Sequence, residues 1–118
     1  MGEIQKEKEL ILEQTAKEYF LSGEEEMNKE RNNSAVVLFF KSLLALADLL
    51  IYRVSGNTPS SHSDRFSLAK KNLPELYKLL DKDFPFYQDS YNILRSKELV
   101  EVIKEDAEKV AKEIGIRV

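Results

Sequence analysis

The chain has 118 residues, a mass of 13.6 kDa and a formal net charge of −3. This length suits one domain spanning residues 1–118. The absence of cysteine excludes disulfides, zinc–thiolate sites and cysteine nucleophiles. The net charge disfavours a general nucleic-acid binder, but residues 34–97 carry 9 Lys/Arg against 6 Asp/Glu, a net +3 between acidic ends. That basic middle is compatible with a local anion site, and not with an extended DNA-binding surface.

The first predicted helix covers about residues 3–22. Apolar residues recur at helical spacing among charged neighbours, and Gly23 follows where a left-handed C-cap residue belongs. The acidic run GEEE then opens a second helix, as the helix dipole favours. Asn32 and Asn33 leave the continuity of this helix open; we expect it to run through them to about Val54, where SGNTP ends it.

The stretch AVVLFFKSLLALADLLIY, residues 35–52, has the length of a membrane span. Lys41, Ser42 and Asp48 interrupt it, and a charge near the middle of a bilayer is costly. We therefore expect a buried central helix without membrane contact, whose spare apolar surface binds a second copy of the chain. The charged N-terminus MGEIQKEKEL has no secretory leader pattern, and together with the lack of cysteine this indicates a cytoplasmic protein.

Further helices follow the turn GNTPSS. One is predicted over about residues 62–72. Pro74 begins a fourth, PELYKLLDKD, and Pro85 begins PFYQDSYNILRS in the same way, because proline lacks an amide hydrogen and suits the first helical position. The last helix covers about residues 98–114, has one apolar face and is stopped by Gly115. No stretch alternates like a strand, so the prediction is an all-α, up-and-down bundle of about five helices.

The segment TPSSHSDRF contains the only histidine of the chain and has two interpretations. In the first, Ser61 is the N-cap of the third helix and Asp64 reaches back toward its amide, as in a capping box. In the second, His62 is a general acid or base and Arg65 stabilises a developing negative charge, as in phosphodiester cleavage. We prefer the cap, because it needs no substrate and because a helix N-terminus disfavours protonated histidine.

A polar stripe is predicted along the central helix at Lys41, Ala45, Asp48 and Tyr52. Buried charges need partners, so we expect internal ion pairs or a stripe that reaches solvent. Arg53, Arg65 and Arg95 are the candidate partners of Asp48. The functional alternative makes the stripe one wall of a polar cleft that His62 overlooks.

The segment FYQDSYNILR is a third candidate. Tyr87 and Tyr91 lie one turn apart, as do Gln88 and Asn92, and Arg95 follows a turn later. Such a face can bind a base and its phosphate, and a helix that covers the edge of a bundle has the same pattern.

Other signatures of chemistry are missing from the sequence. It contains no glycine-rich phosphate loop, no His-Glu-x-x-His and no Gly-x-Ser-x-Gly. One histidine without cysteine disfavours a transition-metal site. We therefore expect no cofactor and no metal.

The order of these features resembles the HEPN superfamily over about residues 14–114. An early helix ends in AKEYFLSG, an apolar helix carries AVVLFFKSLLAL, a glycine-containing turn leads to PSSH, and FYQDSYN follows. The lysine inside the apolar helix, Lys41, and the histidine that opens the next helix, His62, match the pattern of members.

The resemblance implies a compact helical bundle that is usually a homodimer. Many members accompany a minimal nucleotidyltransferase, often in two-gene toxin–antitoxin or defence systems. Others are metal-independent ribonucleases that use an arginine followed within a few residues by a histidine on a late helix. This sequence departs from that arrangement: no histidine follows Arg95, His62 precedes Arg65, and the GNTP turn separates Arg53 from His62. The resemblance thus implies the architecture and puts nuclease activity in doubt.

The sequence favours a non-catalytic HEPN-like interaction module that binds a nucleotidyltransferase-type partner or a nucleotide in a polar cleft between helices. The residues expected to line that cleft are Lys41, Asp48, His62, Arg65, Tyr91 and Arg95. One alternative is a metal-independent ribonuclease in which His62 acts with Arg65 or Arg53. Another is a purely structural helical subunit of a larger complex.

Overall fold

The computed structural model describes residues 2–118, except the side chain of Gln5. Over this range the chain forms five α-helices and no strand. In chain order they are α1 (Gly2–Asn28), α2 (Asn32–Ser55), α3 (His62–Asn72), α4 (Pro74–Asp89) and α5 (Lys97–Ile114). The predicted all-α bundle of about five helices is confirmed.

Helix α2 lies at the centre of the bundle and contacts each of the other four helices. Its most apolar 18-residue window has a mean hydropathy of 2.1, and 67% of that window is buried inside the bundle. Within residues 2–118, α2 is the one helix long and apolar enough to cross a membrane, and its burial agrees with the predicted core helix. One contiguous core joins it to residues such as Phe20, Ala69, Leu80 and Ile103 of the surrounding helices.

Helix α1 does not end at Gly23, which corrects the predicted C-cap. The helix continues to Asn28, and Gly23 lies in its interior, where it is buried. A Cβ at this position would lie 2.8 Å from Cδ1 of Phe39, too close for the two to coexist without movement. Gly23 therefore lets α1 approach the Phe39 ring of α2, although glycine costs about 1 kcal/mol relative to alanine inside a helix.

The chain reverses at Lys29–Arg31, so the predicted continuous helix from the GEEE run to Val54 is wrong. The amide of Arg31 donates to the carbonyl of Glu26 at 2.9 Å, and that of Glu30 to the carbonyl of Met27 at 3.0 Å. This is the Schellman pattern, with Glu30 in the left-handed position at φ 59°. Glu30 occupies the left-handed position after the helix, where glycine is the usual residue, so the sequence did not predict the end of α1 there.

The later helices agree with the prediction except at Pro85. Helix α3 has the expected bounds, and α5 ends in a second Schellman pattern at Gly115, whose φ is 84°. Pro74 does begin α4, but this helix runs on through Pro85 to Asp89, so Pro85 does not start a helix of its own. A proline removes one amide donor, and packing of α4 on the core outweighs that loss.

Candidate functional site

A groove with a volume of about 900 Å³ is bounded by α1, α2 and the end of α4. This volume lies within the range of small-molecule sites. The polar and charged residues that line it are Ser22, Glu25, Glu26, Arg31, Asn33, Ser34, Lys41, Tyr87, Gln88, Ser90 and Tyr91. Val37 and Leu38 of α2 add apolar surface.

Lys41 brings a positive charge into this groove. Its ammonium lies 5.8 Å from the centre of the Tyr19 ring, a cation–π contact across to α1. Among the described residues it has no carboxylate within salt-bridge distance. The charge of Lys41 is therefore available to an anion that enters the groove.

The opposite side of the groove is aromatic and amide-bearing. The Tyr87 ring stacks on Phe40 with centroids 4.9 Å apart, so one of its faces is covered by the core. Gln88 is exposed on the same turn of α4. Tyr91, just beyond the end of α4, has 93% of its surface exposed. Tyr87, Gln88 and Tyr91 of the predicted face thus line the same groove as Lys41. Because α4 ends at Asp89, the predicted helical face does not continue to Asn92 and Arg95, and these two residues do not line the groove.

The loop Ser90–Arg95 is held in place by two asparagines at the start of α2. The Asn33 amide nitrogen donates to the carbonyls of Ser90 at 2.6 Å and Ile93 at 2.9 Å, and its oxygen accepts from the amide of Arg95 at 2.8 Å. The amide of Asn32 donates to the carbonyl of Arg95 at 3.1 Å. From the sequence, Asn32 and Asn33 were considered only for whether the helix continues through them. Their hydrogen-bond partners lie about 60 residues away, so no local sequence pattern predicts these contacts.

Asp48, Arg65 and His62 form a separate cluster between α2 and α3. Arg65 donates to both carboxylate oxygens of Asp48, at 2.6 and 2.9 Å, so it is the partner among the three predicted candidates. Its remaining nitrogen Nη1 lies 2.8 Å from Nδ1 of His62. Because a guanidinium only donates, Nδ1 accepts this hydrogen bond and a neutral His62 carries its proton on Nε2. The cluster is a chain of carboxylate, guanidinium and imidazole.

The N-terminus of α3 has the predicted cap. The hydroxyl of Ser61 accepts from the amide of Asp64 at 3.0 Å, as expected. The Asp64 carboxylate reaches back one residue further than predicted and accepts from the amide and hydroxyl of Ser60, at 2.9 and 3.2 Å. The His62 ring rests near Phe84, with centroids 5.5 Å apart.

The six residues expected to line one cleft are therefore distributed over three places. Lys41 and Tyr91 line the groove. Asp48, His62 and Arg65 form the cluster just described. Arg95, at the end of the loop, packs against the end of α4, with its guanidinium 5.8 Å from the centre of the Phe86 ring and 3.7 Å from the Asp89 carboxylate.

Arg53, the other candidate, is engaged elsewhere. Its Nε donates to the Glu9 carboxylate at 2.6 Å and its Nη1 to the carbonyl of Ile114 at 3.2 Å. These contacts join the ends of α1, α2 and α5. Arg53 thus has two partners of its own, neither of which is Asp48 or His62.

A buried carboxylate pair between α4 and α5 was not found by sequence reasoning. Asp83 is fully buried, and neither of its oxygens has a hydrogen-bond partner among the described residues. Burial, reinforced by the neighbouring Asp106 carboxylate and opposed by Lys82, raises the pKa of Asp83 to about 8. The only sequence signal for this pair is the position of Asp83 on the inner, otherwise apolar face of the amphipathic helix α4.

Lys82 bridges the two carboxylates from the surface. Its ammonium lies 3.0 Å from Asp106 and 3.6 Å from Asp83. Burial acts to lower the pKa of Lys82, but the hydrogen bond to Asp106 and the charges of Asp83 and Asp106 outweigh it, and the pKa is raised. Lys82 therefore stays positively charged, while Asp83 is held in its neutral form at pH 7.

Comparisons of this chain with protein-family models, with curated proteins and with solved structures found no match.

Proposed function

We propose that this protein is a non-catalytic helical interaction module of the HEPN type, whose groove between α1, α2 and α4 binds a nucleotide. The observation that carries the proposal is that Lys41, which makes no salt bridge within residues 2–118, lines the same groove as Tyr87, Gln88 and Tyr91. An ammonium suits a phosphate, and aromatic rings with a neighbouring amide suit a base.

Two features support binding without catalysis. The guanidinium of Arg65 already has both oxygens of Asp48 as partners, so its charge is compensated before any substrate arrives. The Nδ1 atom of His62 is occupied by Arg65. Neither residue lines the groove.

The test is calorimetric titration of the purified protein with nucleotides, alongside Lys41→Ala and the control Lys17→Ala. Lys17 is a lysine on the exposed side of α1 that lies 3.9 Å from Glu13. We expect Lys41→Ala to lose most of the binding and Lys17→Ala to keep it. Equal affinity in the two variants would contradict a phosphate site at Lys41.

A protein partner of the nucleotidyltransferase type is the second candidate, and the loop Ser90–Arg95 favours a protein contact. Tyr91 and Leu94 are 93% and 92% exposed on a backbone clamped by Asn32 and Asn33. A rigid loop with exposed large side chains loses little conformational entropy when it docks. Co-purification with such a partner that is lost in Tyr91→Ser and Leu94→Ser would support this candidate.

A homodimer through α2 is also proposed, as an alternative use of the same surface. The other four helices cover most of α2, so the part of α2 left accessible to a second copy includes the groove stripe with Val37, Leu38 and Lys41, where a second copy would compete with a nucleotide. Light scattering at tens of micromolar protein measures the mass; a monomer would contradict the dimer.

Metal-independent RNA cleavage by His62 with Arg65 is the remaining alternative, because the two side chains are adjacent although each already has a partner. Incubation with end-labelled RNA in excess chelator, beside His62→Ala, decides it. Cleavage that disappears in the variant would make the start of α3 an active site and overturn the non-catalytic assignment. If no nucleotide, RNA or nucleotidyltransferase binds, a purely structural subunit is the function left.

A further inference from the structure

The groove is close to electrically neutral, which restricts the nucleotide it can take. Its charged side chains are Glu25, Glu26, Arg31 and Lys41. Glu26 and Arg31 compensate each other at 3.5 Å. Lys41 and Glu25 are left, each without a salt bridge among the described residues. The groove therefore offers one uncompensated cation and one uncompensated carboxylate.

A phosphodiester, with one negative charge, matches the one free cation, and a phosphomonoester, with a charge of about −1.5 to −2 at pH 7, exceeds it by less than a triphosphate does. A nucleoside triphosphate would bring two further phosphates that find no counter-charge, and it would bring them into a groove that also holds the Glu25 carboxylate. Like charges placed together without compensation oppose binding. The charge balance thus favours a monophosphate or a single phosphodiester over a polyphosphate.

The Glu25 carboxylate matches neutral hydroxyl donors better than phosphate. An ionised carboxylate only accepts hydrogen bonds, and a ribose presents hydroxyl donors at its 2′ and 3′ positions. Carboxylates hold ribose hydroxyls in this way in dinucleotide sites, and the 2′-hydroxyl distinguishes RNA from DNA. Glu25 therefore favours a ribonucleotide over a deoxyribonucleotide.

The remaining side chains suit a base. Tyr91 is exposed on the clamped loop, and stacking of a base on an aromatic side chain contributes about 1–3 kcal/mol. The amide of Gln88, exposed in the groove, offers both a donor and an acceptor.

We propose that the groove binds a ribonucleotide unit with a single phosphate, in which Lys41 meets the phosphate, Glu25 the ribose hydroxyls, and Tyr91 with Gln88 the base. This rests on the proposed function and adds the class of nucleotide. The unit is supplied either by a free ribonucleoside monophosphate or by a residue of single-stranded RNA, since both have this chemistry. The groove volume of about 900 Å³ accommodates either source.

The experiment is calorimetric titration with AMP, dAMP, ATP and a short single-stranded oligoadenylate, without divalent cations because these would mask phosphate charge. We expect AMP to bind about tenfold tighter than ATP, a difference of about 1.4 kcal/mol. We expect AMP to bind several-fold tighter than dAMP. In Glu25→Gln, AMP and dAMP should bind equally well, and the preference for AMP over ATP should become smaller. The matched control is Glu18→Gln, an exposed glutamate of α1 outside the groove.

The outcomes separate the inference from the proposed function. Binding of ATP as tight as that of AMP, or a ribose preference that survives Glu25→Gln, would overturn the inference and leave nucleotide binding in place. No binding of any of the four probes would overturn both. If oligoadenylate binds much more tightly than AMP, and its binding also depends on Lys41 and Glu25, the result would support the inference and identify single-stranded RNA as the source of the ribonucleotide unit.

Discussion

Replacing the buried Asp83 by asparagine is expected to stabilise the fold at neutral and alkaline pH. The pKa of Asp83 is raised from 3.8 in the unfolded chain to about 8 in the folded one, chiefly because the carboxyl is buried and secondly because the neighbouring Asp106 carboxylate favours the protonated form. Between these two values the folded protein holds a proton that the unfolded chain has lost. The free energy of unfolding therefore falls as the pH rises from 3.8 toward 8, and levels off above 8.

The magnitude follows from the size of the shift. Each unit of pH rise inside this window lowers the free energy of unfolding by up to about 1.4 kcal/mol. Between pH 3.8 and pH 7 the free energy of unfolding therefore falls by an amount on the order of 4 kcal/mol. Asparagine has nearly the shape of the neutral acid and does not titrate. Relative to Asp83→Asn, the native protein should lose about 3 kcal/mol of stability between pH 5 and pH 7.5.

The assay is urea unfolding of the native protein, Asp83→Asn and the control Asp81→Asn at several pH values from 5 to 8.5. Asp81 is exposed on the same helix, so its substitution should leave the pH dependence of unfolding unchanged. Titrating groups remote from Asp83 contribute equally to the native protein and to the Asp83 variant, so the difference reports on Asp83 together with its neighbours Lys82 and Asp106. Parallel stability curves for the two would refute the reasoning that Asp83 is protonated in the folded state.

Gly23→Ala should destabilise the fold by about 1 kcal/mol although alanine is the better helix former, because its Cβ would overlap the Phe39 ring. The same substitution made in a Phe39→Leu background should cost less, which a double-mutant cycle of unfolding free energies measures. Glu30→Gly should stabilise by about 0.5–1 kcal/mol, since Glu30 occupies a left-handed conformation, and a melting temperature unchanged or lowered would contradict this. Asn33→Ala should cost about 2 kcal/mol and speed amide exchange in the 90–95 loop, because three hydrogen bonds to that loop are lost. Asn32→Ala removes only one such bond and should have the smaller effect.

Local chemistry accounts for what could be read from the sequence of this protein. The cap at Ser61, the start of α4 at Pro74 and the stop at Gly115 each depend on residues within one or two turns of one another. The burial of α2 follows from an apolar surface that extends nearly around the helix. Periodicity and capping act over short distances, and they determined the fold class, the central position of α2 and the bounds of α3, but not the turn between α1 and α2 or the course of α4 through Pro85.

The tertiary structure decided the features that depend on distant contacts. Gly23 serves a close approach to Phe39 instead of ending a helix, and the real turn uses Glu30 in a conformation that residue type alone does not favour. Of the three candidate arginines, Arg65 pairs with Asp48. Lys41 lines the groove, whereas Asp48, on the same stripe of α2, does not. The position of a side chain among other helices is set by packing over many residues. The sequence therefore predicted which residues were candidates for a site, and only the fold showed that they lie in three separate places: the groove, the ion-pair cluster and the end of the 90–95 loop.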